Sequence, residues 1–93
     1  MPFADSDGAR IFWDSNGVGD AVLLIMGHAG PRQMWHWVVP ALAEHHRVIS
    51  FDNRGIGQSE WRSGPYTVEL MAADAVAVLD AAGVAKAAVY GAS

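Results

Sequence analysis

The sequence predicts a three-layer α/β fold, with a mostly parallel sheet flanked by helices. Two observations carry that prediction. Strand-like and helix-like stretches alternate with short connections, the βαβ pattern whose crossovers are right-handed. Residues 21–26 and the run Ala87-Ala88-Val89-Tyr90 are apolar without alternation, as strands covered on both faces are.

Each element follows from local chemistry. Ala9-Arg10-Ile11-Phe12-Trp13-Asp14 is rich in β-formers and runs into Ser15-Asn16-Gly17, a strand entering a turn; Phe3 falls on a short partner strand before it. Gly17-Val18-Gly19-Asp20 holds the chain in a loop until the apolar run Ala21-Val22-Leu23-Leu24-Ile25-Met26. Gly27-His28-Ala29-Gly30-Pro31 breaks that strand, and residues 33–45 carry Met34, Trp37, Val38, Ala41 and Leu42 at near-helical spacing. Pro40 cannot donate to the preceding turn, so this helix either kinks there or starts afresh with Pro40 in its first turn.

Residues 47–52 read as the next strand and residues 53–59 as a turn-forming loop. Thr67 is placed to cap a helix, with Glu69 in the first turn near the positive end of its dipole. Leu70, Met71, Ala75, Val78, Leu79 and Ala82 form its apolar stripe, and Gly83 is suited to end it in a left-handed conformation. The final apolar run, ending in Gly91-Ala92-Ser93, reads as a buried strand delivering a serine.

Composition narrows the function. The 93 residues are 52% hydrophobic and 17% charged, which suits one small globular domain. A net charge of -4 with six Lys plus Arg and no basic cluster argues against nucleic acid or an anionic membrane as partner. The N-terminal stretch carries Asp5 and Asp7 instead of a basic segment followed by an apolar one, so no signal peptide is read, and no apolar run reaches membrane-spanning length. The absence of cysteine removes disulfide and thiol chemistry and fits a reducing compartment. A cytoplasmic protein acting on a small molecule is expected.

Several residues invite chemistry. Ser93 follows Gly91-Ala92 at the end of a strand, and a hydroxyl held at a sharp strand-to-helix turn faces both a substrate carbonyl and a base. Taken alone, it could equally be a surface serine. The loop Asp52-Asn53-Arg54-Gly55-Ile56-Gly57-Gln58-Ser59 is glycine-rich, but it has no third glycine for a dinucleotide site and no Gly-Lys-Ser/Thr for a phosphate loop. His36, His45 and His46 have no second cluster to complete a ligand set. They read as solvated side chains, and neither metal nor cofactor is expected. Trp13, Trp35, Trp37 and Trp61 read as packing anchors; Trp35, close to the Gly27-His28 loop, is the one expected to touch a substrate.

Three stretches in order, Met26-Gly27-His28-Ala29-Gly30, Asp52-Asn53-Arg54-Gly55-Ile56-Gly57-Gln58-Ser59 and Gly91-Ala92-Ser93, resemble the α/β-hydrolase superfamily, with its patterns His-Gly-x, Asp-x-Arg-Gly-x-Gly-x-Ser and Gly-x-Ser-x-Gly. The match covers residues 9–93. The Ile25-Met26-Gly27 loop and Phe51-Asp52-Asn53-Arg54-Gly55 are similar to the 3-oxoadipate enol-lactonase-like and non-haem-peroxidase-like members. The resemblance implies that residues 1–93 form the N-terminal portion of one hydrolase domain, cut at the nucleophile elbow, with Ser93 as nucleophile toward a small carboxylic ester or lactone. A serine at this position disfavours members that attack with aspartate. One oxyanion donor is a backbone N–H of the loop after the third strand. With Met26-Gly27 in place of His-Gly the donor is His28; the other register pairs His28-Ala29 with His-Gly and moves it to Gly30. The first leaves Gly27 as the glycine that ends the strand. The Asp52–Ser59 loop is structural in this family, with Asp52 and Arg54 stabilising it through hydrogen bonds or an ion pair.

The family's triad runs Ser, then Asp or Glu, then His along the chain. All four histidines precede Ser93, so the base and its carboxylate are expected beyond these residues, and the 93 residues alone are expected to be inactive. The competing reading is a non-catalytic truncated product or binding module that keeps the scaffold. A parallel sheet ending on this strand also exposes an apolar edge through which copies could associate.

Overall fold

The computed structural model describes residues 3–6, 8–25, 35, 38–55, 59 and 67–91. In chain order these form β1 (Phe3–Ser6), β2 (Ala9–Asn16), β3 (Asp20–Ile25), α1 (Val39–Leu42), β4 (His46–Phe51), α2 (Val68–Ala81) and β5 (Ala88–Gly91). The strands make one sheet in the order β1-β2-β4-β3-β5. β1 and β2 pair antiparallel, β2 joins β4 antiparallel, and β4, β3 and β5 are parallel. The architecture is the expected α/β arrangement, with an antiparallel hairpin added at one edge.

The sheet's two faces hold separate cores because side chains alternate along each strand. Leu23, Ile49 and Phe51 face one side, where Ile11 and Ala4 join Ala75 and Val78 of α2. Val22, Leu24 and Val48 face the other, under Trp35, with Val38, Val39 and Leu42 packed alongside. The topology requires this division. The β3-to-β4 and β4-to-β5 crossovers travel in opposite directions across the sheet, so right-handed connections put their helices on opposite faces.

The helix ends follow the local chemistry. The Thr67 hydroxyl accepts from the Leu70 N–H at 3.1 Å and caps α2. At the other end Gly83 has φ +73, its N–H donates to the Asp80 carbonyl at 3.1 Å, and the Val84 N–H donates to the Leu79 carbonyl at 2.9 Å. That pair of bonds is a Schellman motif, and Leu79 and Val84 both pack on the adjoining core. Arg47 adds a cation at the same terminus, its Nη1 donating to the Ala82 carbonyl at 3.0 Å.

Three expectations change. The helix predicted over residues 33–45 is, among the described residues, a single turn with Pro40 in its first positions, followed by a turn through His45. Pro40 thus starts a helix instead of kinking one; residues 33, 34, 36 and 37 lie outside the described residues. β5 is exposed, not buried, at all four positions, because β3 is its sole neighbour among the described strands and no described helix covers it. His46 is partly buried, and its Nδ1 is enclosed with no hydrogen-bond partner, because it opens β4 inside the sheet; His45 beside it is exposed as expected.

Candidate active site

The parallel register ends the three strands that precede the sequence motifs at one end of the sheet. Leu24 lies between Ser50 of β4 and Tyr90 of β5. One residue further on, β3 ends at Ile25 opposite Gly91, and β4 ends at Phe51. The chain therefore leaves three adjacent strands at one level, toward Met26-Gly27-His28, Asp52-Asn53-Arg54 and Ala92-Ser93. Adjacent strands lie about 4.8 Å apart. β3 is also where the strand order reverses, and the crevice beyond the carboxyl ends of such a switch point is where open α/β sheets bind ligands. Ser93 and His28 lie outside the described residues, as do Trp37, Trp61 and His36.

Trp35 is described and is 4% exposed. It packs on Val22, Leu24 and Val48, its ring centroid lies 5.8 Å from that of Tyr90, and its carbonyl accepts from the Val38 N–H at 2.8 Å. The indole Nε1 is enclosed and has no hydrogen-bond partner. Gly91 approaches the neighbouring strand closely without requiring glycine, since a Cβ there would sit 3.6 Å from the Ile25 carbonyl oxygen.

Beside this crevice, the loop after β4 is tied down by buried polar groups. Asp52, Asn53, Arg54 and Ser59 are all buried. The Ser59 hydroxyl donates to the Asp52 carbonyl at 2.5 Å and accepts from the Phe12 N–H at 2.9 Å, while the Asp52 N–H donates to the Phe12 carbonyl at 3.0 Å. Ser59 thus closes the loop onto β2. The Arg54 guanidinium grips Asp74 of α2 with two bonds, Nε to Oδ2 at 3.1 Å and Nη2 to Oδ1 at 2.8 Å, and reaches the Ser6 carbonyl at 3.3 Å. Ser6 Oγ completes the cluster by donating to Asp74 Oδ1 at 2.5 Å. Asp52 and Arg54 thus stabilise the loop as expected, Asp52 through backbone hydrogen bonds to Ser59 and Phe12 and Arg54 through an ion pair to a carboxylate on α2. Asp74 was not singled out in the sequence, where only the apolar residues of α2 were read as its stripe. Its signal was there: an aspartate on the stripe between Met71 and Ala75 must meet a cation or hydrogen-bond donors if that face is buried.

Histidines are absent from the carboxyl end of the sheet among the described residues. His46 opens β4 opposite Asp20, five residues before Phe51, which is roughly 17 Å away at about 3.3 Å per residue. Neither it nor His45 can serve as a base at the carboxyl end. Among the described residues no group of three His, Asp or Glu gathers as a metal site would need, and no helix is long and apolar enough to cross a membrane.

The strand order and the shared exit level of β3, β4 and β5 agree with comparison to known proteins. Residues 20–93 match the family model described as the alpha/beta hydrolase fold. The chain belongs to the α/β-hydrolase family. It is 40% identical over 91 residues to an Azorhizobium caulinodans protein provisionally named carbamate hydrolase RutD, covering 98% of this chain and 34% of that protein. It is 45% identical over 86 residues to a Mycobacterium tuberculosis protein provisionally named non-heme bromoperoxidase BpoC, covering 90% and 32%. Among solved structures, the enol-lactonase from Burkholderia xenovorans superposes with a TM-score of 0.93 at 31% identity, over 99% of this chain and 37% of that one. The chain thus spans about a third of the length of the relatives it matches. The enol-lactonase and bromoperoxidase names agree with the subset that the motifs resembled.

Proposed function

We propose that this chain carries the nucleophile half of a serine hydrolase acting on small carboxylic esters or lactones. The observation that supports the reading is the shared exit level of β3, β4 and β5, where Gly91, two residues before Ser93, pairs with Ile25, three residues before His28. In this reading the Ser93 hydroxyl loses its proton to a base as Oγ attacks the substrate carbonyl. The oxyanion of the tetrahedral intermediate accepts hydrogen bonds from the His28 N–H and from the N–H of the residue after the nucleophile. Collapse expels the alcohol, or opens the lactone, and leaves an acyl-serine that water hydrolyses. Trp35, against Tyr90 one residue before Gly91, gives the acyl group an apolar neighbour. The buried Arg54, Asp74 and Ser59 take no part in bond changes; they hold the adjoining loop still.

The base and its carboxylate come from polypeptide other than these 93 residues, so the chain alone turns over no ester. The decisive experiment is a chimera in which residues 1–93 replace the matched stretch of the B. xenovorans enol-lactonase. It should hydrolyse p-nitrophenyl acetate, and Ser93→Ala should lower kcat by about a million-fold. A folded chimera whose hydrolysis survives Ser93→Ala overturns the assignment. Turnover by the 93 residues alone, abolished by Ser93→Ala, overturns the claim that they are inert.

A further inference from the structure

Two asparagines stand in this chain, Asn16 and Asn53, and the fold treats them in opposite ways. Asn53 is 4% exposed and is followed by Arg54, which grips Asp74. Asn16 ends β2, is exposed, and is followed by Gly17, which is exposed as well. Its side-chain amide donates to Asp14 Oδ1 at 3.4 Å, beyond the usual range of a hydrogen bond.

An exposed asparagine before a glycine is open to a covalent change, because glycine has no Cβ to shield its nitrogen or restrict its approach. The Gly17 amide nitrogen gives its proton to hydroxide and attacks Asn16 Cγ. The new C–N bond closes a succinimide ring as the Cγ–Nδ2 bond breaks, and Nδ2 leaves as ammonia after taking a proton from water. A water molecule then opens the ring. Attack at Cγ gives aspartate in an ordinary chain, whereas attack at the main-chain carbonyl carbon gives isoaspartate, with the chain rerouted through Cβ and Cγ. Water is consumed, ammonia is released, and nothing is oxidised or reduced. Closing the ring requires Asn16 to turn out of the extended conformation, which opens only the terminal Asn16–Val48 rung of the β2–β4 ladder.

We propose that Asn16-Gly17 is a deamidation site whose isoaspartyl product loosens the amino end of the sheet. The loosening follows from packing. A Cβ on Gly17 would collide with the carbonyl oxygens of His46 and Ala43, and one on Gly19 with that of His45. The connection from β2 to β3 thus already lies against the backbone that enters β4. Isoaspartate adds a methylene to the main chain just before Gly17, where that backbone leaves no room. An ordinary aspartate adds only charge on an exposed side chain.

The test incubates the 93-residue chain at mildly alkaline pH, in buffer and in urea. Mass spectrometry of the tryptic peptides 11–32 and 48–54 reads the replacement of NH2 by OH, and methyl transfer by an isoaspartyl methyltransferase separates isoaspartate from aspartate. In buffer Asn16 should convert within about tenfold of its rate in urea, whereas Asn53 should slow by about a hundredfold or more. The aged, isoaspartyl chain should unfold at a lower urea midpoint than the fresh chain, and Asn16→Asp should unfold where the fresh chain does. Three results overturn the inference: equal protection of Asn16 and Asn53 in buffer, an aged chain with the midpoint of the fresh one, or an Asn16→Asp midpoint lowered as far as that of the aged chain.

Discussion

Around α2, the side chains of Ile11, Leu23, Ile49, Phe51 and Val78 are at most 1% exposed, whereas β5, one strand away from Leu23, leaves Val89 61% exposed. The two regions use residues of the same kind. What separates them is the number of neighbours: among the described strands, β4 has one on each side and β5 has one in all. The closed side can therefore bury a charge, because Arg54, Asp74 and Ser6 reach one another from a loop, a helix and the first strand. Among the described residues nothing comparable anchors β5, although the candidate nucleophile follows from it.

The sharpest way to break that contrast is to attack the buried pair. Asp74→Ala leaves the Arg54 guanidinium enclosed without its carboxylate, and unfolding by urea should show a loss of about 3–5 kcal/mol. Replacing both partners, Asp74→Leu with Arg54→Met, should recover most of that loss, since apolar pairs of similar volume often substitute for buried ion pairs. A loss below about 1 kcal/mol for Asp74→Ala would mean that the pair is solvated and the closed side is looser than described. Next in size, Leu23→Ala should cost about 2–5 kcal/mol through lost burial and a residual cavity. Val89→Ala, on the open strand, should stay within about 0.5 kcal/mol. Equal costs at the two positions would show β5 to be covered.

The outcome of the sequence reading follows the same divide. Strands β2, β3 and β4 and helix α2 were legible because their signals are local: continuous apolar runs, the Thr67 cap and the Gly83 stop. Membership of the α/β-hydrolase family was legible from the order of the three motifs. The exposure of β5 was not, because Ala88-Val89-Tyr90 records an expectation of neighbours and burial depends on their presence. The ion pair of Arg54 with Asp74 was not legible either, since the two lie 20 residues apart, and Ser6, whose carbonyl Arg54 also reaches, lies 48 away. Within residues 33–45 the described helix is the single turn Val39–Leu42; Pro40 is tolerated in its first turn, where a missing N–H costs nothing, and apolar spacing alone did not mark that start. The seats of Ser93 and His28 fall outside the described residues, so for them the structure adds only the level at which their strands end.

The smallest expected effects separate two glycines, one packed against the closed side and one not. Both have positive φ, +85 at Gly17 and +73 at Gly83. At Gly83 a Cβ meets nothing within 4 Å, so Gly83→Ala should pay only the left-handed conformational penalty, about 1–2 kcal/mol. At Gly17 a Cβ would stand 2.3 Å from the His46 carbonyl oxygen and 2.6 Å from that of Ala43. Both obstacles are backbone, so the turn between β2 and β3 or the entry to β4 has to move. Gly17→Ala should therefore cost more than Gly83→Ala, by about 1 kcal/mol or more. Urea midpoints of the two variants compare them directly. Equal midpoints would mean that the β2–β3 turn yields freely and that the closed packing does not extend to the amino end of β4.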